Sequence, residues 1–384
     1  MPAAVSARMS AAVAPGRHPG IVAMAWHGGV TRSGAWGHRD LARRDPIADD
    51  AIFRIYSMSK PIASVALLQL VDDGVVSLDD PLSRWLPGFD AMQVVANDGD
   101  APRLVATPRP PTLRHLLTHT SGYTEDAAAH PAAAARLAAA GVDDARDLAD
   151  VAARLAGVAL AEAPGTHFHY AAANTELVAR VVEVASGRRF AEVLQARIFA
   201  PLGMRDTAFE VPARDRGRVA DLATRRDGAL VLADTGSARV PGSRLRAWDS
   251  GAGGLYSTAG DYLRFARMLL GGGALDGVRV LSPASAALLH RDQLGAATPP
   301  IAGPAPGEGF GLGVGVVFDT AARGRAGGTG QYGWPGAAST WFVVDPVHGI
   351  AAVLMAQYLP SGDRAVDPPR PGPEFQALLL ESLP

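Results

Sequence analysis

Apolar positions along the chain follow two spacings. In several stretches they recur every three or four residues between Pro and Gly breaks, the period of one helix face. These stretches are "SVALLQLVDDG" from Ser64, "DARDLADVAARLAGVALAEAPG" from Asp144, "NTELVARVVEVASGRRFAEVLQARIFAPLGM" from Asn174, "STAGDYLRFARMLLGGG" from Ser257 and "PEFQALLLESLP" from Pro373. "PTLRHLLTHTSGYTED" carries the same period. Ser257 or Thr258 is placed to cap its helix, with Asp261 in the first turn.

The other spacing belongs to short runs rich in β-branched or aromatic residues and closed by turns. "GIVAMAWHGG" from Gly20 and "VTRSGAWGHRDL" read as a hairpin near the start. "GFGLGVGVVFD", "AASTWFVVDP" and "GIAAVLMAQY" read as strands near the end. The order is strands, helix, a long helical stretch, strands, helix. It predicts an α+β fold: an antiparallel sheet flanked by helices, built from both chain ends, with an inserted, mostly helical domain. The expected boundaries are 1–85 and 245–384 for the α/β domain and 86–244 for the insert.

Composition narrows the function classes. The 384 residues are 48% hydrophobic and 19% charged, with 43 Gly and 29 Pro, a globular composition rich in turns. The formal charge of −2 and the lack of a basic cluster argue against nucleic acid as a partner. With no cysteine, thiol nucleophiles, disulfides and cysteine metal sites are excluded. The N-terminal "MPAAVSARMSAAVAPGRHPG" lacks the apolar core of a secretory signal, and no run is long enough to span a membrane. The expected location is cytoplasmic.

One amphipathic stretch raises a chemical question. In "RIYSMSKPIASVALLQLVDDG", Lys60 stands three residues after Ser57, just ahead of an apolar run. Residues three apart share a helix face, so the two side chains can meet. A serine hydroxyl becomes a nucleophile when a base takes its proton. A lysine serves as that base where burial and positive potential lower its pKa from about 10.4. A helix N-terminus supplies such potential and offers N–H groups to a developing oxyanion. The alternative is a surface lysine beside a capping serine.

The wider context favours the catalytic pair. "FRIYSMSKPIASVALLQLVDDGVVSLDDPLSRWLP" with "TLRHLLTHTSG" resembles the serine β-lactamase and penicillin-binding-protein superfamily. The "SMSK" form is most similar to its esterase branch, the family VIII carboxylesterases related to class C β-lactamases. The resemblance implies a β-lactamase-like fold, with Ser57 as nucleophile, Lys60 as its basic partner and Tyr170 as the tyrosine of the second motif. The third motif falls on Trp334-Pro335-Gly336. Trp334 and Gly336 are then expected to contact substrate, and the N–H groups of Ser57 and Ala337 to form the oxyanion hole. Tyr123, after "HTSG", is expected to line the pocket.

The sequence departs from the family pattern in places. Ala172 stands where β-lactamases carry an asparagine, and Asn174, two residues on, reads as a helix cap. Trp334 replaces a lysine and offers an apolar face and one N–H. Pro335 lacks an N–H, which places its strand at a sheet edge. "WPGA" also reads as a plain turn, and Tyr170 as a packing tyrosine.

His115 and His119 have the i, i+4 spacing of a zinc helix but no accompanying Glu, so they are read as packing or hydrogen-bonding residues. His167 and His169, flanking Tyr170, are read as exposed or satisfied. No metal and no cofactor are expected. No Gly-x-Ser-x-Gly occurs, which argues against an α/β-hydrolase triad.

The expected activity is a serine carboxylesterase on small or short-chain esters, working through an acyl-enzyme. The same site chemistry serves a β-lactamase, a D-amino-acid peptidase or an acyltransferase. The alternative of another class is a binding protein of this fold that no longer turns over.

Overall fold

A computed structural model describes residues 1–97 and 101–383. Gly20–His27 (β1) and Val30–Gly37 (β2) pair as a hairpin across Gly28 and Gly29, both at positive φ. Two-residue hairpin turns require that backbone, and glycine adopts it without steric cost. The other strands come from the end of the chain: Glu308–Phe310 (β3), Gly315–Val317 (β4), Tyr332–Pro335 (β5), Trp341–Asp345 (β6) and Ile350–Ala356 (β7). The seven form one antiparallel sheet in the order β3-β4-β5-β6-β7-β1-β2. The β7–β1 pairing joins the two chain ends, from Ile21↔Ala356 to His27↔Ile350.

"GFGLGVGVVFD" is two strands rather than one. It turns through Gly313 at φ 88°, where an added Cβ would lie 2.0 Å from Ser64 Oγ. Close contact with a helix bends the run, and that contact leaves no mark on its own periodicity.

Helices cover both faces of the sheet. Those that matter here are Ala3–Ala12 (α1), Ser59–Asp72 (α2), Ala172–Ser186 (α3), Ala259–Leu270 (α4) and Gly372–Glu381 (α5). Every residue of β7 is buried. Ala352 and Leu354 pack with Val5 and Met9 of α1 and Phe375 of α5, while Val353 and Met355 belong to the main core with Tyr262 and Phe265 of α4. This is the two-residue alternation of a strand covered on both sides.

The Ala-rich start, for which no element is expected, is helical because Val5, Met9 and Ala12 fall on one buried face. Thr258 caps α4 by accepting from Asp261 N at 3.1 Å.

The middle of the chain carries helices at Pro131–Ala139, Leu148–Ala156 and α3. It also holds two small hairpins, pairing Gln93–Ala96 with Arg103–Ala106 and Ala223–Arg226 with Ala229–Leu232. "PTLRHLLTHTSGYTED" is helical only over Leu113–Leu117. No helix among the described residues is long and apolar enough to cross a membrane.

The stretch from Ser59 to Leu70 is buried all round, so α2 is a central helix rather than an amphipathic one. Its polar groups find partners inside. Ser64 Oγ donates to Lys60 O at 3.0 Å, and Gln69 Nε2 donates to the Arg197 and Val280 carbonyls, both at 3.0 Å.

Candidate active site

Ser57 sits in a 3₁₀ turn, Tyr56–Met58, just ahead of α2 rather than within it. The helix proper starts at Ser59, so Pro61 is its third residue, where an N–H would have no intrahelical partner. Tyr56 has φ 44°, an uncommon backbone for a bulky residue that turns the chain sharply before the serine.

Three contacts hold this turn. Arg54, fully buried, donates to the Ala220 and Ser237 carbonyls and to Gln357. Tyr262 Oη donates to Met58 O at 2.7 Å. Leu255 N donates to Ser59 Oγ at 3.3 Å.

Lys60 is 3% exposed. Its Nζ lies 3.3 Å from Ser57 Oγ, donates to Ala252 O at 2.7 Å and stands 4.9 Å from the centre of the Tyr170 ring. The second of these contacts depends on a loop that passes between α2 and α3. An added Cβ on Gly251 would lie 2.8 Å from Thr175 O, so the small residues of "DSGAGG" are a packing requirement.

Glu176 braces that loop. Fully buried, it accepts from Trp248 Nε1 at 3.0 Å and from the Ser250 hydroxyl, which accepts from Gly253 N at 3.2 Å. Burial pushes its carboxyl above the ordinary value, and these two donors and the Lys60 charge pull it back. Glu176 was not singled out by sequence, because six residues after Tyr170 it reads as a solvent-facing helix position.

Tyr170 stands at the mouth of α3, half-buried between two rings. The His119 ring is 4.6 Å away and the Trp334 ring 5.2 Å. Trp334 Nε1 donates to Tyr170 Oη at 3.1 Å. The single N–H of Trp334 is thus directed at the tyrosine, and its ring also packs against Phe310, centroids 5.1 Å apart.

His119 is buried. Desolvation, helped by the charge of Lys60, holds it well below the ordinary histidine pKa, so it is neutral. Its Nδ1 accepts from Ala171 N at 3.3 Å and meets Asn174 Nδ2 at 3.0 Å, which assigns the proton to Nε2. Asn174 is therefore no helix cap. It joins His119 to the Ser121 hydroxyl beneath the tyrosine. His115 does different work, accepting from Thr112 N at 3.1 Å in a capping box.

The third wall is the end of β5. The strand is not an edge strand, since β4 and β6 flank it. Pairing with β4 stops at Gly333, however, so Pro335 faces only Trp341 of β6, and the missing N–H breaks no ladder. Gly336 is buried. An added Cβ would lie 2.4 Å from Ile55 O and 2.0 Å from Thr340 Oγ1. Its Cα side thus lies against the backbone that leads to Ser57.

Arg370, also missed by sequence, donates to Gly336 O at 3.0 Å and to Ala337 O at 3.4 Å. Burial lowers its pKa. A cation on the carbonyl of the Gly336–Ala337 peptide polarises the N–H of the same unit. Nothing in "DPPRPG" foretells this contact.

Tyr123 does not line the cleft. It is 1% exposed and its Oη donates to Leu155 O at 2.8 Å, because Gly122 turns the chain inward at φ 95°. A cavity of about 280 Å³ runs beside Trp334 and Arg370, but its walls include neither Ser57 nor Tyr170.

The close approach at Gly336 has a measurable consequence. Gly336→Ala must push β5 off Ile55, and a displacement of about 1 Å at a reacting centre costs about 100-fold in rate. We expect kcat for an ester to fall by about that factor while the circular dichroism spectrum stays that of the parent. An unchanged kcat would show that β5 does not register against the serine turn.

The model of the family described as Beta-lactamase matches residues 5–371. The chain belongs to the Beta-lactamase family. Among curated relatives, it is 33% identical over 361 residues to Esterase EstB of Burkholderia gladioli, covering 87% of this chain and 84% of that one. It is 32% identical over 265 residues to the monacolin J acid methylbutanoyltransferase of Aspergillus terreus, covering 66% and 62%. Among solved structures, EstCE1, described as a hydrolase with promiscuous acyltransferase activity, superposes with a TM-score of 0.74 at 27% identity over 92% of this chain and 93% of that one. This Beta-lactamase family member is accordingly an enzyme of the serine hydrolase class with a β-lactamase-like fold, as the resemblance of its motifs implies.

Proposed function

We propose that the protein is a carboxylesterase acting on small or short-chain neutral esters through an acyl-enzyme on Ser57. The observation that carries the reading is the meeting of Ser57 Oγ and Lys60 Nζ at 3.3 Å, with Tyr170 over the same amine. Ser57 Oγ attacks the ester carbonyl, and its proton passes to the Lys60–Tyr170 pair. The carbonyl oxygen gains the negative charge and is met by the N–H groups of Ser57 and Ala337. The C–O bond to the alcohol breaks, and the alcohol leaves with the proton. Water then attacks the acyl-enzyme carbonyl, releases the acid and returns the proton to Ser57.

Trp334 supports the ester over an anionic lactam. A hydrogen bond to a charged group contributes about 1.5–3 kcal/mol, and an indole in place of a lysine forgoes it for a substrate carboxylate. The indole favours apolar acyl or alcohol groups through buried area. Arg370 is turned to backbone carbonyls instead. The likeness to a methylbutanoyltransferase and to a hydrolase with acyltransferase activity favours one second reading, delivery of the acyl group to an alcohol in place of water.

The test measures kcat/KM for p-nitrophenyl butyrate and for a chromogenic cephalosporin on one preparation, with and without an added alcohol. The ester is expected to lead by about 10- to 100-fold, the factor that the missing charged contact represents. Trp334→Lys should narrow that margin. A higher value for the cephalosporin would put the β-lactamase reading first. Ester product in place of acid when alcohol is added would put the transferase first.

A further inference from the structure

The loop that leads to Tyr170 gathers a second group of chemically active side chains. His130, Glu162 and His169 each offer one ligand atom, and the three atoms lie within 4.8 Å of one another. His169 Nε2 is 2.9 Å from Glu162 Oε2. The His130 ring stands edge-on to the His169 ring, centroids 4.7 Å apart. His167 adds a further imidazole, its Nδ1 2.5 Å from the same carboxylate oxygen. Glu162, His130 and His169 are partly buried, and His167 is exposed.

The backbone beneath them is held in place. Ala161 N donates to Gly122 O at 2.8 Å, Gly165 N to Thr120 O at 2.7 Å, and His169 N to His119 O at 2.8 Å. Thr166 Oγ1 donates to Ala163 O at 2.7 Å, and Arg109 Nε to Pro164 O at 2.6 Å. His130 sits just before the helix Pro131–Ala139, with its N–H on Asp126 O at 2.9 Å. A frame ordered in advance reduces what ligand binding must spend on ordering it.

The donor set selects the ligand. Imidazole nitrogens with one carboxylate oxygen suit zinc, and cobalt, nickel and copper as well. Magnesium and calcium take oxygen ligands. Zinc bonds of about 2.0–2.1 Å place tetrahedral ligand atoms about 3.3 Å apart. Small side-chain rotations bring three atoms now within 4.8 Å to that spacing. The geometry points to a binding site for a zinc-class divalent cation formed by His130, Glu162 and His169. The ion would tie the 162–169 loop to the start of the helix at Pro131, one residue from Tyr170. It takes no part in the ester chemistry above, and the two readings stand or fall separately.

Tag-free protein treated with EDTA is titrated with zinc against a chromophoric chelator, and separately with cobalt. The expected results are one zinc per chain, the visible bands of four-coordinate cobalt and a higher melting temperature with zinc. Loss of a supporting residue around a metal ligand weakens affinity by about 10–100-fold, so loss of a ligand should weaken it by at least about 100-fold. His130→Ala and Glu162→Gln should each do so and erase the zinc-dependent rise in melting temperature. His27→Ala, on β1, should change neither. Absence of zinc binding by the parent chain overturns the site, and so does binding that folded His130→Ala and Glu162→Gln leave intact. If a variant fails to fold, the stoichiometry and cobalt bands of the parent decide.

Discussion

Ser57→Ala is expected to abolish ester turnover, lowering kcat by about a millionfold as removal of an acyl-enzyme serine does elsewhere. The change should leave the fold intact. Ser57 is half-buried in a turn held by Tyr262, Arg54 and Leu255, none of which depends on its hydroxyl. Lys60 keeps its bond to Ala252 O, so no buried charge is orphaned. The loss in stability should stay near the 1 kcal/mol of one hydrogen bond. The measurements are p-nitrophenyl butyrate hydrolysis, fluorophosphonate labelling located by mass spectrometry, and a thermal melt. A folded variant with near-parental activity would remove the acyl-enzyme reading altogether, and Ser59 would be the next serine to examine.

The second large effect concerns the proton. Tyr170→Phe keeps the ring between His119 and Trp334 and deletes only the hydroxyl that accepts from Trp334 Nε1. If that oxygen handles the proton of the serine or of the leaving alcohol, kcat should fall by about 10²–10⁴-fold with little change in KM. Lys60→Ala should lower kcat at least as far. It also leaves Ala252 O without its buried donor, which costs about 1–3 kcal/mol of stability. The split between kcat and KM is informative here, since a merely structural tyrosine would change both through a loosened cleft. Full kcat in Tyr170→Phe would make the phenol a packing group.

The parts of this molecule that follow local rules were legible in its sequence. The β1–β2 hairpin declared itself through Gly28-Gly29, the cap of α4 through Thr258 and Asp261, and the Ser57–Lys60 pair through its spacing ahead of an apolar run. What stayed hidden depends on neighbours distant in the chain. Asn174 has the look of a cap because that role is local, yet its partners are Ser121 and His119. Tyr123 points inward, where its hydroxyl donates to the distant Leu155 O. Pro335 argued for an edge strand, a sound rule applied to a strand whose partner β4 ends early. Glu176 reaches the backbone through the Ser250 hydroxyl that accepts from Gly253 N, and Arg370 donates to backbone carbonyls; backbone groups carry no sequence signature.

The contact between Gly336 and Ile55 O also bears on how such a protein can change over time. Main chain meets main chain there, with the Thr340 hydroxyl as the one side-chain group named in the contact, so the width of the gap in which an oxyanion would form depends chiefly on Gly336 and Thr340. The walls around that gap are of another kind. Trp334 and Tyr170 present side chains there, in contact with each other and so open to replacement by substitution. Mutational drift is therefore free to change what the walls contact while the seam beneath them stays as it is. Selection for a new substrate on this scaffold should accumulate changes on the walls and leave the seam between Ile55 and Gly336 untouched.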